Sequence, residues 1–137
     1  MLLVFDENYS PYLAEGLGIL EKANDHSPYK VDVSHIISLA GKRGTPDEAV
    51  IEIVGRNKGI VLTQDTDFRK LKHSGPLFKQ HKTGAIFFHS TSRKMIFWDM
   101  VVSFINNWER IKEIAHMEKP PFVYKIGIYG GVQKQHF

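Results

Sequence analysis

The sequence predicts an α/β protein: three α/β/α layers around a mainly parallel central sheet. Three observations carry this expectation. Short, almost wholly apolar runs alternate with longer stretches of helical periodicity. The runs are apolar at successive positions, as in strands covered on both faces. The order is strand–helix–strand–helix–strand–helix–strand, so helices cross between strands. The 137 residues suffice for one domain, and no linker, repeat or low-complexity block divides them.

Leu2–Phe5 opens the chain as a buried strand. Ser10 is a good N-cap with Pro11 at the first helical position, and Leu13, Leu17 and Leu20 follow at helical spacing. Asn24–Pro28 has turn chemistry. Val31 and Val33 mark a second strand, extending over His35–Ile37. After the basic loop Gly41–Gly44, Thr45 reads as an N-cap and Pro46 as the first residue of a second helix. Asp47 and Glu48 suit the positive end of its dipole, and Val50, Ile53 and Val54 supply its apolar face. Asn57-Lys58-Gly59 closes it.

Ile60–Thr63 is a third strand, running into Gln64-Asp65-Thr66-Asp67-Phe68. Residues 69–83 read as basic and irregular, broken at Gly75-Pro76. Ala85–His89 is a fourth strand. Met95–His116 has the longest helical pattern, with Phe97, Val101, Phe104, Trp108, Ile111 and Ala115 on one face. Trp98 and Trp108 are both assigned to the core. Phe122–Tyr129 is a last strand, and Gly130-Gly131 opens a polar tail that is a candidate for disorder.

Composition narrows the chemistry. There is no cysteine, which excludes disulfides, thiolate metal sites and cysteine nucleophiles. No run approaches the roughly 18 apolar residues of a membrane span. MLLVF is too short for a signal peptide, so the expectation is a soluble, cytoplasmic protein with no membrane partner. Charge is divided along the chain. Residues 1–68 carry 11 acidic and 6 basic side chains, residues 69–137 carry 4 and 12. Between Arg69 and Trp98 stand seven basic residues and no acidic one. Such a division suits a protein that handles a metal and a polyanion together, although basic residues also serve plain solubility.

In sheets of this kind ligands gather beyond the carboxyl ends of the strands. Asp6, with Glu7 and Asn8, follows the first strand. Asp65 and Asp67 follow the third, and Asp47 and Glu48 open a helix whose N-terminus should face the same edge. Two carboxylates 4 Å apart repel by about 4 kcal/mol at an effective dielectric of 20, so a cluster needs protons or a cation. Oxygen donors without cysteine favour Mg²⁺ or Mn²⁺. Each acid also has a plainer role as a cap, a turn former or a first-turn partner of the helix dipole. Asp25, Asp32 and Asp99 lie away from these strand ends.

With these residues the sequence resembles the PIN-like superfamily of metal-dependent ribonucleases. It is most similar to a small bacterial branch that opens with a strand and Asp-Glu-Asn. The matching pieces are LLVFDEN (2–8), GTPDEAVIEIV (44–54) and IVLTQDTDF (60–68), covering the first half of the chain. The resemblance implies a Rossmann-like domain, an acidic Mg²⁺ or Mn²⁺ site and endonuclease activity on RNA. Many members are toxins of type II toxin–antitoxin pairs, so an antitoxin partner and a homodimer are implied too. Asp6 matches the first metal carboxylate, Asp47 or Glu48 the helix-borne acid, Asp65 the third acid and Asp67 a weaker fourth. Thr63 matches a supporting hydroxyl. Arg43, Arg69, Lys70 and Lys72 are the candidate phosphate contacts.

Other signals are weaker. Asp65-Thr66-Asp67 resembles an aspartyl phosphohydrolase motif, but it follows the wrong strand and has Arg69 where Thr or Val belongs. There is no His-Glu-x-x-His, no P-loop and no nucleophile elbow. His73, His81 and His89 suit solvent or nucleic acid better than zinc. The alternatives to a nuclease are an inactive RNA- or protein-binding module of the same fold, and a small-molecule phosphohydrolase.

Overall fold

The computed structural model describes residues 1–64, 71–89, 96–127 and 131–135. Six strands form one sheet: β1 (Leu2–Phe5), β2 (Asp32–His35), β3 (Gly59–Thr63), β4 (Gly84–His89), β5 (Phe122–Gly127) and β6 (Val132–Gln135). Their order is β2-β1-β3-β4-β5-β6. All neighbours are parallel except β5 and β6. The helices are α1 (Pro11–Lys22), α2 (Ile36–Ala40), α3 (Asp47–Arg56), α4 (Leu71–His81) and α5 (Phe97–Met117).

The period of two along each strand sorts the core into two layers. Leu3, Phe5, Ile60, Leu62, Ile86, Phe88, Phe122 and Ile126 face α1 and α5, where Leu13, Leu17, Phe104, Ile111 and Ala115 meet them. Val4, Val61, Ala85, Phe87 and Val123 face the other way, onto Ile36 of α2, Val50, Ile51 and Val54 of α3 and Phe78 of α4. Fully burying a side chain such as Phe5, Phe78 or Phe104 stabilises by about 1.5–3 kcal/mol. Gly84 is required where β4 meets β5, because a Cβ there would lie 2.4 Å from Cζ of Phe122.

Several local expectations are corrected. Ile36 and Ile37 do not extend β2. His35 caps a short helix instead, its Nδ1 accepting from the Ile37 N–H at 3.1 Å. The segment read as irregular before β4 is α4, with Pro76 inside it. An internal proline costs a helix about 3 kcal/mol, and here the burial of Phe78 offsets much of it. Of the tail expected to be disordered, Val132–Gln135 is an edge strand, held by antiparallel pairing to β5 and by Lys134 Nζ on Glu118 Oε2 at 3.0 Å, and residues 130, 136 and 137 lie outside the described residues. Trp108 is buried, but Trp98, in the first turn of α5, is 70% exposed rather than in the core. Leu20 is likewise exposed, and Ala14 takes its place in the α1 face. Among the described residues no helix is long and apolar enough to cross a membrane.

Candidate active site at the β1–β3 edge

Strand β1 runs to β2 on one side, and the chain then crosses to β3 on the other side of β1. Such a reversal opens a crevice at the carboxyl ends of the two central strands. Phe5 pairs with Leu62 in the parallel register, and the Asp6 N–H donates to the Leu62 carbonyl at 3.1 Å. Asp6 and Thr63 therefore end their strands side by side.

Asp6 is only 5% exposed. Its Oδ1 accepts the Asn8 N–H at 3.0 Å, and its Oδ2 accepts the Thr63 hydroxyl. Hydrogen bonds of this kind favour the charged carboxylate against the cost of burial. Burial holds the Tyr9 phenol well above the usual tyrosine range, and the neighbouring Asp6 charge raises it further. The Tyr9 hydroxyl is buried without a hydrogen-bond partner among the described residues. Its ring packs edge-on against Phe5 and Phe104.

The turn after Asp6 is fixed from three directions. The Tyr9 N–H donates to the Asp6 carbonyl at 3.2 Å, and Gln64 Nε2 reaches the Asn8 carbonyl at 3.4 Å. The buried His35 ring, whose Nδ1 already accepts from Ile37, carries its proton on Nε2 and donates to the Tyr9 carbonyl at 2.8 Å. Nothing in the sequence marked His35 for this role, since a lone histidine at a strand end has many uses.

The helix-borne acids enter through α3. Pro46, extended at φ −62° and ψ 152°, is the N-cap residue, and Thr45 makes no cap bond. Pro46 itself keeps extended angles, so its carbonyl takes the first helical bond, from the Val50 N–H at 2.9 Å, and the Thr45 N–H is taken from outside the helix. Glu7 Oε1 accepts the N–H groups of Gly44 at 2.6 Å and Thr45 at 3.2 Å. The chain entering α3 is thus tied to the residue that follows Asp6. Asp47, the first residue of α3, is half-buried and makes polar contact of its own, whereas Glu48 is exposed. Arg43 is exposed on the same loop, between the left-handed Gly41 and Gly44 (φ 75° each).

Asp65, Asp67, Arg69 and Lys70 lie outside the described residues, as does the side chain of Lys72. Among the described residues no group of three or more metal-ligating side chains forms. The candidate donors that are described, the buried Asp6, the half-buried Asp47 and the exposed Glu48, are hard oxygens of the kind that Mg²⁺ and Mn²⁺ prefer.

Fold and edge together define an α/β domain with one buried carboxylate, Asp6, at a sheet switch point. A family model described as PIN like domain matches residues 1–90, and the chain belongs to that family. PIN domains are in general nucleases, which places the protein with the hydrolases at that coarse level, and they typically use divalent metal ions. Searches of curated proteins and of solved structures gave no match.

Proposed function

We propose that the protein is a Mg²⁺- or Mn²⁺-dependent endoribonuclease, the toxin of a toxin–antitoxin pair acting in the cytoplasm. The observation that carries this reading is the buried, hydrogen-bonded Asp6 carboxylate at the β1–β3 edge, beside Thr63. Asp6 and Asp47 would hold the ion with Asp65 and Asp67, and the half-buried Asp47 is preferred to the exposed Glu48. The ion, when bound, would supply the acidity that lets a water lose its proton before attacking phosphorus, and charge to stabilise the departing oxygen. Thr63 keeps Asp6 oriented. Arg43, Arg69, Lys70 and Lys72 would hold the flanking phosphates of RNA, a contact that weakens as salt rises.

Two protein partners belong to this reading. A cognate antitoxin would cover the acidic edge or the basic strip. A second copy of the chain would pack on α5, where the exposed Trp98, Val102 and Ile105 follow one another at helical spacing.

The test is cleavage of RNA by purified protein with Mn²⁺, with chelator, and with Asp6→Asn. Cleavage by the wild type alone, abolished by chelator, supports the reading. Equal cleavage by Asp6→Asn overturns it. RNA binding without products would mark an inactive module instead, and release of inorganic phosphate from small esters a phosphohydrolase.

A further inference from the structure

We infer that Glu7 is a positioning residue of the site, setting the distance between Asp6 and the acid at the start of α3; the inference rests on the metal-site reading above. Glu7 stands next to Asp6 in the chain, yet its carboxylate points to a loop 37 residues away. One oxygen, Oε1, takes two consecutive backbone donors, Gly44 N–H and Thr45 N–H. These are the last two amides before Pro46-Asp47. Gly44 reaches the clamp with φ at +75°, a conformation in which glycine is the least strained residue. Thr45 makes no cap bond, so the entry to α3 leans on this carboxylate rather than on a local cap.

The geometry separates Glu7 from a stability role. The clamp is exposed at the surface, where a hydrogen bond contributes little to the folding free energy. It nonetheless ties the turn carrying Asp6 to the turn carrying Asp47. Groups that orient metal ligands without touching the ion commonly govern affinity in this way. Two carboxylates on separate elements bind one ion well only if their spacing is fixed before the ion arrives.

The experiment is a Mn²⁺ titration of the intact protein, followed by electron paramagnetic resonance of the free ion, with a thermal melt of each variant. Glu7→Ala is expected to weaken Mn²⁺ binding by about 10–100-fold with little change in the melt. Glu7→Gln keeps the acceptor oxygen and should retain most of the affinity, while Glu7→Asp, too short to reach Gly44, should lose it. If Glu7→Ala does not fold, the contrast between Glu7→Gln and Glu7→Asp decides. Wild-type affinity in both Glu7→Ala and Glu7→Asp overturns the inference and leaves the metal site standing. Glu7→Gln as weak as Glu7→Ala also overturns it, since the charge and not the clamp would then matter. A wild-type protein that takes up no Mn²⁺ removes the metal-site reading, and this inference with it.

Discussion

The Thr63 hydroxyl donates to Asp6 Oδ2, joining the ends of β3 and β1 across 57 residues of sequence. Both residues are buried, Thr63 completely. Thr63→Val keeps the shape and removes the donor. A buried acceptor that loses a partner costs about 1–3 kcal/mol. Urea unfolding should therefore show a loss of that size. RNA cleavage at saturating Mn²⁺ should fall by more than the loss of folded protein explains. An unchanged cleavage rate would separate Thr63 from the site.

A second expectation concerns Lys112, whose side chain is wholly buried on α5. Its Nζ meets Glu21 Oε1 at 2.8 Å and Glu109 Oε1 at 2.7 Å. Glu21 is nearly as buried and also accepts the Trp108 indole N–H at 2.8 Å. Lys112→Met leaves the Glu21 charge inside without its cation, a change that costs about 3–5 kcal/mol. Adding Glu21→Gln should recover part of the loss in the same denaturation assay. A loss below about 1 kcal/mol in Lys112→Met would show that the pair is not buried in solution.

The same network sets an alkaline limit. Burial opposes the Lys112 charge, but the hydrogen bonds and charges of Glu109 and Glu21 outweigh it, so its pKa is raised. A raised lysine stabilises fully below the unfolded value of about 10.4 and loses that contribution as pH climbs through the folded value. Glu109 runs the other way. Its hydrogen bond to Lys112 leads the causes that lower its pKa, so its contribution fades as pH falls below the ordinary carboxylate range. Melting temperature against pH should show the alkaline decline in the wild type and a weaker one in Lys112→Met.

Tyr124 gives an optical check on the β5 edge. Burial, then its 2.5 Å hydrogen bond to Glu118 and the charge there, push the phenol up to about 12. A raised phenol stabilises below the unfolded value of about 10 and loses that contribution as pH rises through the folded value. A tyrosinate absorbance titration should contain late ionisations from Tyr124 and from the buried Tyr9, and Tyr124→Phe should remove one of them. A late amplitude unchanged in that variant would mean that Tyr124 ionises in the ordinary range.

The two tryptophans should behave oppositely. Trp108 lies in the α1–α5 core, so Trp108→Ala should cost about 3–5 kcal/mol. Trp98→Ala should stay within about 0.5 kcal/mol, as at other exposed positions. In Trp108→Phe, the remaining fluorescence of Trp98 should be quenched readily by acrylamide. These values are for the single chain at dilution; resistance to quenching that grows with protein concentration would mark the second copy proposed on this face.

The layered architecture was legible because β1, β3 and β4 are apolar at successive positions, which only a doubly covered strand tolerates. The same pattern placed Asp6 and Thr63 at a carboxyl edge. Helix α4 was hidden because Gly75-Pro76 is a strong local breaker, while the packing of Phe78 that offsets much of it is a tertiary fact. Trp98 was misplaced because a helical stripe does not reveal where the protein's surface begins along it. At the site, adjacent acids at 47 and 48 look alike in sequence, and only burial separates them. The clamp from Glu7 to Gly44 and Thr45 involves backbone donors, which no side-chain motif can announce. Strand β6 was missed because its polar residues gain their partners from β5 rather than from each other.

In the proposed site Asp6 and the acid opening α3 serve one divalent ion. The most direct measurement is a crystal structure of the protein soaked with Mn²⁺, read from the anomalous signal of the ion. The expected result is one manganese in contact with carboxylate oxygens of Asp6 and Asp47 at the β1–β3 edge. Manganese bound elsewhere, with the Asp6 edge empty at a concentration that supports RNA cleavage, would contradict it.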